Sequence, residues 1–165
     1  MASFFMLLST VFVLTPDHSI AQSTAYELML KGLLDFSVDT ITAAEARSMK
    51  GVVFLDAREP GEYKVSHIKG ARNVGYDEFT MATVKDIPRS SHIIVYCSVG
   101  YRSEKVAEKL KAAGYKNVDN LYGGIFEWVN EGMPVYDVSQ RPTDKVHGYS
   151  PEWGVWLNKG EKVYE

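Results

Sequence analysis

The chain has little cysteine: Cys97 is the only one among its 165 residues. One thiol cannot close an intramolecular disulfide or supply a cysteine-rich zinc site. The four histidines, His18, His67, His92 and His147, are scattered without metal-ligand spacing, so no structural metal and no cofactor are expected. Net charge is −3 with no run of like charge, which argues against the concentrated basic face that a nucleic-acid partner needs. No internal repeat or low-complexity segment occurs. The densest apolar stretch, Ser3 to Leu14, is shorter than the about 20 residues of a membrane span. Hydrophobic content of 45% and charged content of 24% are ordinary, and the length suffices for one domain with a real core.

Ser3 to Leu14 does have the length of a signal-peptide core. Ser19-Ile20-Ala21 offers a small-x-small cleavage site before Gln22, although no Lys or Arg precedes Lys31. Residues 1–21 are therefore expected as a signal peptide. A packed N-terminal helix and an uncleaved membrane anchor are the other readings. Export would place the protein in the periplasm or outside the cell, with no stable membrane span once the leader is removed. A lone thiol in that oxidising compartment has no internal partner to trap it.

Along the rest of the chain, Ala25 to Phe36 reads as a short amphipathic helix with Leu28, Leu33 and Leu34 on its buried side. Thr42-Ala-Ala-Glu45 matches a capping box, opening a helix to about Met49. Gly51 to Asp56 and Ile93 to Tyr96 are short continuous apolar runs, as strands buried on both faces should be. Asn73-Val74 and Asn117 to Leu121 are weaker strands, and Tyr76 to Val84 is read as helical. Arg102 to Ala113 is the clearest helix, with Gly114 placed as its C-terminal stop. Gly123-Gly124 is a turn before a short helix, Ile125 to Asn130. Strands alternating with helices predict an α/β fold with a central, mostly parallel sheet flanked by helices on both faces. After Tyr136 the composition reads as a linker, followed by a tail, Val146 to Glu165, that carries Tyr149, Trp153, Trp156 and Tyr164.

Cys97 stands between the end of one predicted strand and the start of the clearest helix. Unpaired backbone N–H groups and the positive end of a helix dipole favour a thiolate at such a place, and the thiolate is the nucleophile. Asp56 also falls at a strand's carboxyl end, where open parallel sheets bind ligands. Cys97 is thus the candidate nucleophile.

Four groups of residues resemble the rhodanese-like (sulfurtransferase) domain family. They are Leu55-Asp-Ala-Arg-Glu-Pro-Gly-Glu-Tyr63; Ser66-His-Ile-Lys-Gly-Ala71 with Asn73; Val95-Tyr-Cys-Ser-Val-Gly-Tyr-Arg-Ser103; and Leu121-Tyr-Gly-Gly124 followed by Trp128, Gly132 and Pro134. They lie in the family's order and cover roughly residues 41–136. The resemblance implies a five-stranded rhodanese-like fold; the helical extension at 22–40 and the linker and aromatic tail at 137–165 lie outside it. It also implies that Cys97 takes sulfane sulfur from a donor anion such as thiosulfate, and passes it from a persulfide to a thiol or cyanide-like acceptor. A protein could also be the sulfur acceptor. Ser98, Val99, Gly100, Tyr101 and Arg102 would form the loop that cradles the persulfide, with Gly100 permitting its tight path.

Arg102 fits two roles, a charge orienting an anionic donor or a first-turn residue salt-bridged on the surface. Asp56 and Arg58 are read as a supporting ion pair, and His67 as a hydrogen-bonded support for the loop before Gly70. Trp128 is read as core. The tail aromatics fit either a partner-binding patch or a cover over an apolar strip. Two rival functions remain. A binding or sulfur-delivery module would act through a protein partner, and deleting Val146 to Glu165 would discriminate it. A phosphatase-like hydrolase is disfavoured, because four residues separate Cys97 from Arg102 where the related phosphatases carry five.

Overall fold

The computed structural model describes residues 18–165, with side chains from Gln22 onward. Its centre is a five-stranded sheet with every strand parallel. The strands are β1 (Thr40–Ile41), β2 (Val53–Asp56), β3 (Arg72–Asn73), β4 (His92–Tyr96) and β5 (Asn117–Leu121), in the order β1-β5-β4-β2-β3. The most apolar strand is the central one. β4 pairs with β2 from Val53↔Ile93 to Asp56↔Tyr96, and with β5 from His92↔Asn117 to Val95↔Asn120. Side chains alternate across the sheet, so Ile94 and Tyr96 join one core layer while Ile93, Val95 and Cys97 join the other. Ile93, Ile94 and Val95 are all fully buried, each worth roughly 1.5–3 kcal/mol.

Helices cover both faces. On the Ile94 side lie α1 (His18–Leu33), α2 (Ala43–Ser48) and α5 (Gly124–Asn130), through Tyr26, Leu30, Ala43, Ala46, Ile125 and Phe126. On the Ile93 side lies α4 (Tyr101–Ala112), through Val106, Ala107 and Leu110. The short α3 (Pro60–Val65) links β2 to β3. The Thr42 capping box forms: the Glu45 N–H donates to Thr42 Oγ1 at 3.3 Å, and the Thr42 N–H donates to Glu45 Oε2 at 3.0 Å. After α4, Gly114 turns the chain at φ 93.

Three expectations are corrected. Leu28 is 65% exposed, because Tyr26 and Leu30 of α1 and Leu34 just after it are buried at a spacing of four, and Leu28 points away from that stripe. Between Tyr76 and Val84 only Met81–Val84 is helical, as one 3₁₀ turn. Thr80 precedes it in extended conformation, and Phe79, Val84 and Ile87 reach the core without a longer helix.

The third correction concerns 137–165, which is not a linker but folded structure, and of the two readings of the tail aromatics Trp153 and Trp156 match the cover over an apolar strip. β6 (Val135–Tyr136) pairs with β7 (Pro142–Thr143), and β8 (Lys145–His147) pairs with β9 (Glu161–Val163) around α6 (Pro151–Gly154). Val146 and Leu157 are fully buried in the main core, and Trp156 stacks on Tyr26 at 5.5 Å. Deleting Val146 to Glu165 would therefore remove core as well as surface. Of the expected leader, residues 1–17 lie outside the described residues, and α1 already spans the expected cleavage site at Ala21. Among the described residues no helix is long and apolar enough to cross a membrane.

At the end of β2, Asp56 and Arg58 form a fully buried ion pair of 2.6 Å. Asp56 Oδ1 also accepts from the Arg58 N–H at 2.9 Å, and Arg58 Nη2 donates to the Ser66 carbonyl at 2.7 Å. Burial opposes the charge on Arg58, and Asp56 more than offsets it, holding the guanidinium pKa above its ordinary value. The pair fixes the β2–α3 turn from inside. Asp56→Ala would leave Arg58 charged and buried without its partner. It is expected to lower stability by about 3–5 kcal/mol, read as a fall in the urea midpoint. A loss under about 1 kcal/mol would show that water or another group compensates Arg58.

Candidate active site

Tyr96 ends β4, and the four residues Cys97 to Gly100 turn the chain into α4. This turn is held from outside by the start of α5. The Ile125 N–H donates to the Cys97 carbonyl at 2.9 Å, and the Phe126 N–H donates to the Ser98 carbonyl at 3.1 Å. These are first-turn N–H groups that have no partner within their own helix. The approach is so close that a Cβ on Gly124 would sit 2.5 Å from the Cys97 carbonyl oxygen, and Gly124 also adopts φ +58. Both facts require glycine there.

Gly100 closes the turn at φ 118, and its N–H donates to Cys97 Sγ at 3.1 Å. Its carbonyl accepts from Asn120 Nδ2 at 3.0 Å and from the Glu104 N–H at 3.0 Å. Asn120 is fully buried in β5 and is braced by Ser103 Oγ at 2.7 Å. Cys97 is 1% exposed. It shares a pocket of about 240 Å³ with Ser98, Val99, Tyr101, Arg102, Leu33, Tyr149 and Trp153.

Arg102 is held by Glu62 of α3. Nη1 and Nη2 donate to the two carboxylate oxygens at 2.7 and 2.9 Å, and Nη2 lies 3.0 Å from Ser98 Oγ. Burial pushes the Glu62 carboxyl upward, but the Arg102 contacts outweigh it, so its pKa lies below the ordinary carboxylate value. The Tyr149 ring covers the guanidinium at 4.9 Å. The geometry gives Arg102 an ion pair, but a largely buried one rather than one on the surface, with the Arg102 and Glu62 side chains 14% and 5% exposed.

The remaining candidates lie outside the pocket wall. Asp56 and Arg58 make the buried pair described above. His67 is fully buried, stacked on Tyr63 at 4.0 Å. Its Nδ1 lies 3.2 Å from the Tyr63 carbonyl, its Nε2 lies 3.2 Å from Gln140 Nε2, and its backbone bridges to Tyr136. A carbonyl only accepts, so the proton belongs on Nδ1. Trp128 is core, with Nε1 donating to the Pro134 carbonyl at 3.0 Å. Glu62, Asn120, Leu33, Tyr149 and Trp153 were not singled out as site residues from sequence. A polar Asn inside a buried strand was a usable signal for Asn120. Nothing local pairs Glu62 with Arg102 across forty positions.

A family model described as Rhodanese-like domain matches residues 40–131. The chain belongs to the rhodanese-like domain family. This rhodanese-like protein is 30% identical over 140 residues to "Thiosulfate sulfurtransferase 18" of Arabidopsis thaliana, covering 77% of this chain and 98% of that one. A tRNA uridine(34) hydroxylase of Bdellovibrio bacteriovorus is 35% identical over 83 residues, and there the match covers 48% of this chain but only 24% of the hydroxylase. A crystal structure of a rhodanese-related protein from Thermoplasma volcanium matches with a TM-score of 0.54 at 32% identity, over 59% of this chain and 97% of the other.

Two stability predictions follow from the site's geometry. Gly124→Ala adds a carbon against two carbonyls and forces a strained φ, which alone costs about 1–3 kcal/mol. Gly61→Ala meets open space within a helix and should be neutral or stabilising by about 0.5–1 kcal/mol. Equal urea midpoints for the two variants would contradict the close-approach argument. Glu62 has a lowered folded pKa, so its contribution is complete above the ordinary carboxylate range and is lost as pH falls through the lowered value. Glu62→Gln should therefore cost about 3 kcal/mol at pH 7. The gap to wild type should close in acid below that range, as read by denaturant titrations across pH.

Proposed function

We infer that this rhodanese-like protein is a sulfurtransferase in which Cys97 carries sulfane sulfur as a persulfide. The observation that carries this reading is the loop itself. Cys97 Sγ accepts from a loop amide at 3.1 Å, while the Cys97 and Ser98 carbonyls are bound on the far side. A turn that aims an amide N–H at the sulfur and holds its carbonyls elsewhere suits a sulfur anion, which needs donors and no competing acceptors.

The chemistry is a two-step exchange. The Cys97 thiolate attacks the outer sulfur of a donor such as thiosulfate, the donor's S–S bond breaks, and sulfite leaves with the electron pair. A thiol or cyanide-like acceptor then attacks the outer sulfur of the persulfide, and the Cys97 thiolate is released. No general base is required once the thiolate is formed. His67, held by Tyr63 and Gln140, serves position rather than proton transfer. Arg102 supports the loop through Glu62 and Ser98. Because its fork is occupied by a carboxylate, it is not free to grip a phosphate dianion, and the hydrolase reading finds no support in the site.

Intact mass after incubation with thiosulfate or an organic persulfide tests the proposal. Wild type is expected to gain one sulfur, cyanide to remove it, and Cys97→Ser never to gain it. A folded wild-type protein that gains no sulfur from either donor would overturn the reading and favour a binding module.

A further inference from the structure

Thiosulfate is a small dianion without an apolar body, and the pocket beside Cys97 is poorly matched to it. Among the described residues, Arg102 is the only cation that lines the pocket. Both of its terminal nitrogens are bonded to Glu62, and the Tyr149 ring covers its face at 4.9 Å. With Cys97 as the attacking thiolate, the sulfur, Glu62 and Arg102 together carry net negative charge. A dianion entering this partly desolvated space meets repulsion that no unpaired lining cation offsets.

Apolar surface is what the pocket offers. Leu33, Val99, Tyr101, Tyr149 and Trp153 form most of its lining. Three of these lie outside the family-matched segment 40–131: Leu33 at the end of α1, and Tyr149 and Trp153 in the C-terminal segment. Tyr149 sits at φ 64, a costly conformation for a residue other than glycine. Its N–H donates to His147 Nδ1 at 3.1 Å, and β8 and α6 on either side fix it there. The segments on either side of 40–131 thus wall this pocket with aromatic and aliphatic groups.

We propose that the preferred donor is an organic hydropersulfide whose apolar body packs against Trp153, Tyr149 and Leu33. This rests on the persulfide reading of Cys97 and names the substrate class of that same site. The Cys97 thiolate attacks the outer sulfur of R–S–SH. A bond forms between Sγ and that sulfur, which keeps its hydrogen, and the donor S–S bond breaks. R–S⁻ leaves with the electron pair, so atoms and charge balance without an external oxidant or reductant.

The test uses the full chain and three donors: thiosulfate, methyl hydropersulfide and benzyl hydropersulfide. Quenched intact mass gives the rate of sulfur gain for each, normalised to its rate with N-acetylcysteine to remove intrinsic reactivity. Benzyl should exceed methyl by roughly tenfold, because burial of the ring adds apolar contact, and thiosulfate should be slowest. Trp153→Ala should bring the benzyl-to-methyl ratio toward one. Tyr149→Ser, at a half-exposed position, should lower the same ratio and keeps the test open if the tryptophan variant does not fold. A wild-type ratio near one, or thiosulfate fastest after normalisation, overturns the donor proposal while the persulfide chemistry stands. No sulfur gained from any donor overturns the persulfide reading and this proposal with it.

Discussion

Everything at the site depends on one backbone-to-backbone contact, the start of α5 docked on the turn that carries Cys97. Two amides of α5 bind the Cys97 and Ser98 carbonyls, and no side chain intervenes because Gly124 has none. Each such hydrogen bond is worth only about 1 kcal/mol net, but a buried carbonyl left without a donor costs about 1–3 kcal/mol. The contact therefore sets where the loop's acceptors point. Asn120 repeats the arrangement at the Gly100 carbonyl, from a strand on the other side of β4 from Asp56. What the loop turns toward the sulfur is a donor, the Gly100 N–H at 3.1 Å.

A second constraint is charge. Two arginines lie near the site and each is matched by its own carboxylate, Arg58 by Asp56 and Arg102 by Glu62. Burial also holds the His147 pKa below the ordinary imidazole value, so it adds no cation at neutral pH. A rigid, internally neutral surround differs from an open anion trap. It leaves backbone dipoles to steady the reacting sulfur and side-chain shape to choose the molecule that delivers it.

Legibility in the sequence followed the range of the interaction. β4 and β2 were visible because a strand buried on both faces must be apolar throughout. The Thr42 cap and the Gly114 stop were visible because both are settled within a few residues. Leu28 was misread because hydrophobicity alone does not fix helix phase, whereas Tyr26, Leu30 and Leu34 do so once the sheet lies under them. The segment after Tyr136 was misread because its strands are two or three residues long and its polar composition hides Val146 and Leu157.

By itself the sequence determined the α/β class, the place of Cys97 at a strand-to-helix turn, and the glycines that turn requires. Those features rest on local geometry, on side-chain alternation and on the φ values glycine alone adopts freely. Only the tertiary structure decided that Arg102 is bound to Glu62, that Asn120 braces Gly100, and that Leu33, Tyr149 and Trp153 meet beside the sulfur. These pairs are far apart along the chain. Their chemistry depends on which faces the folded sheet brings together, and no spacing rule records that.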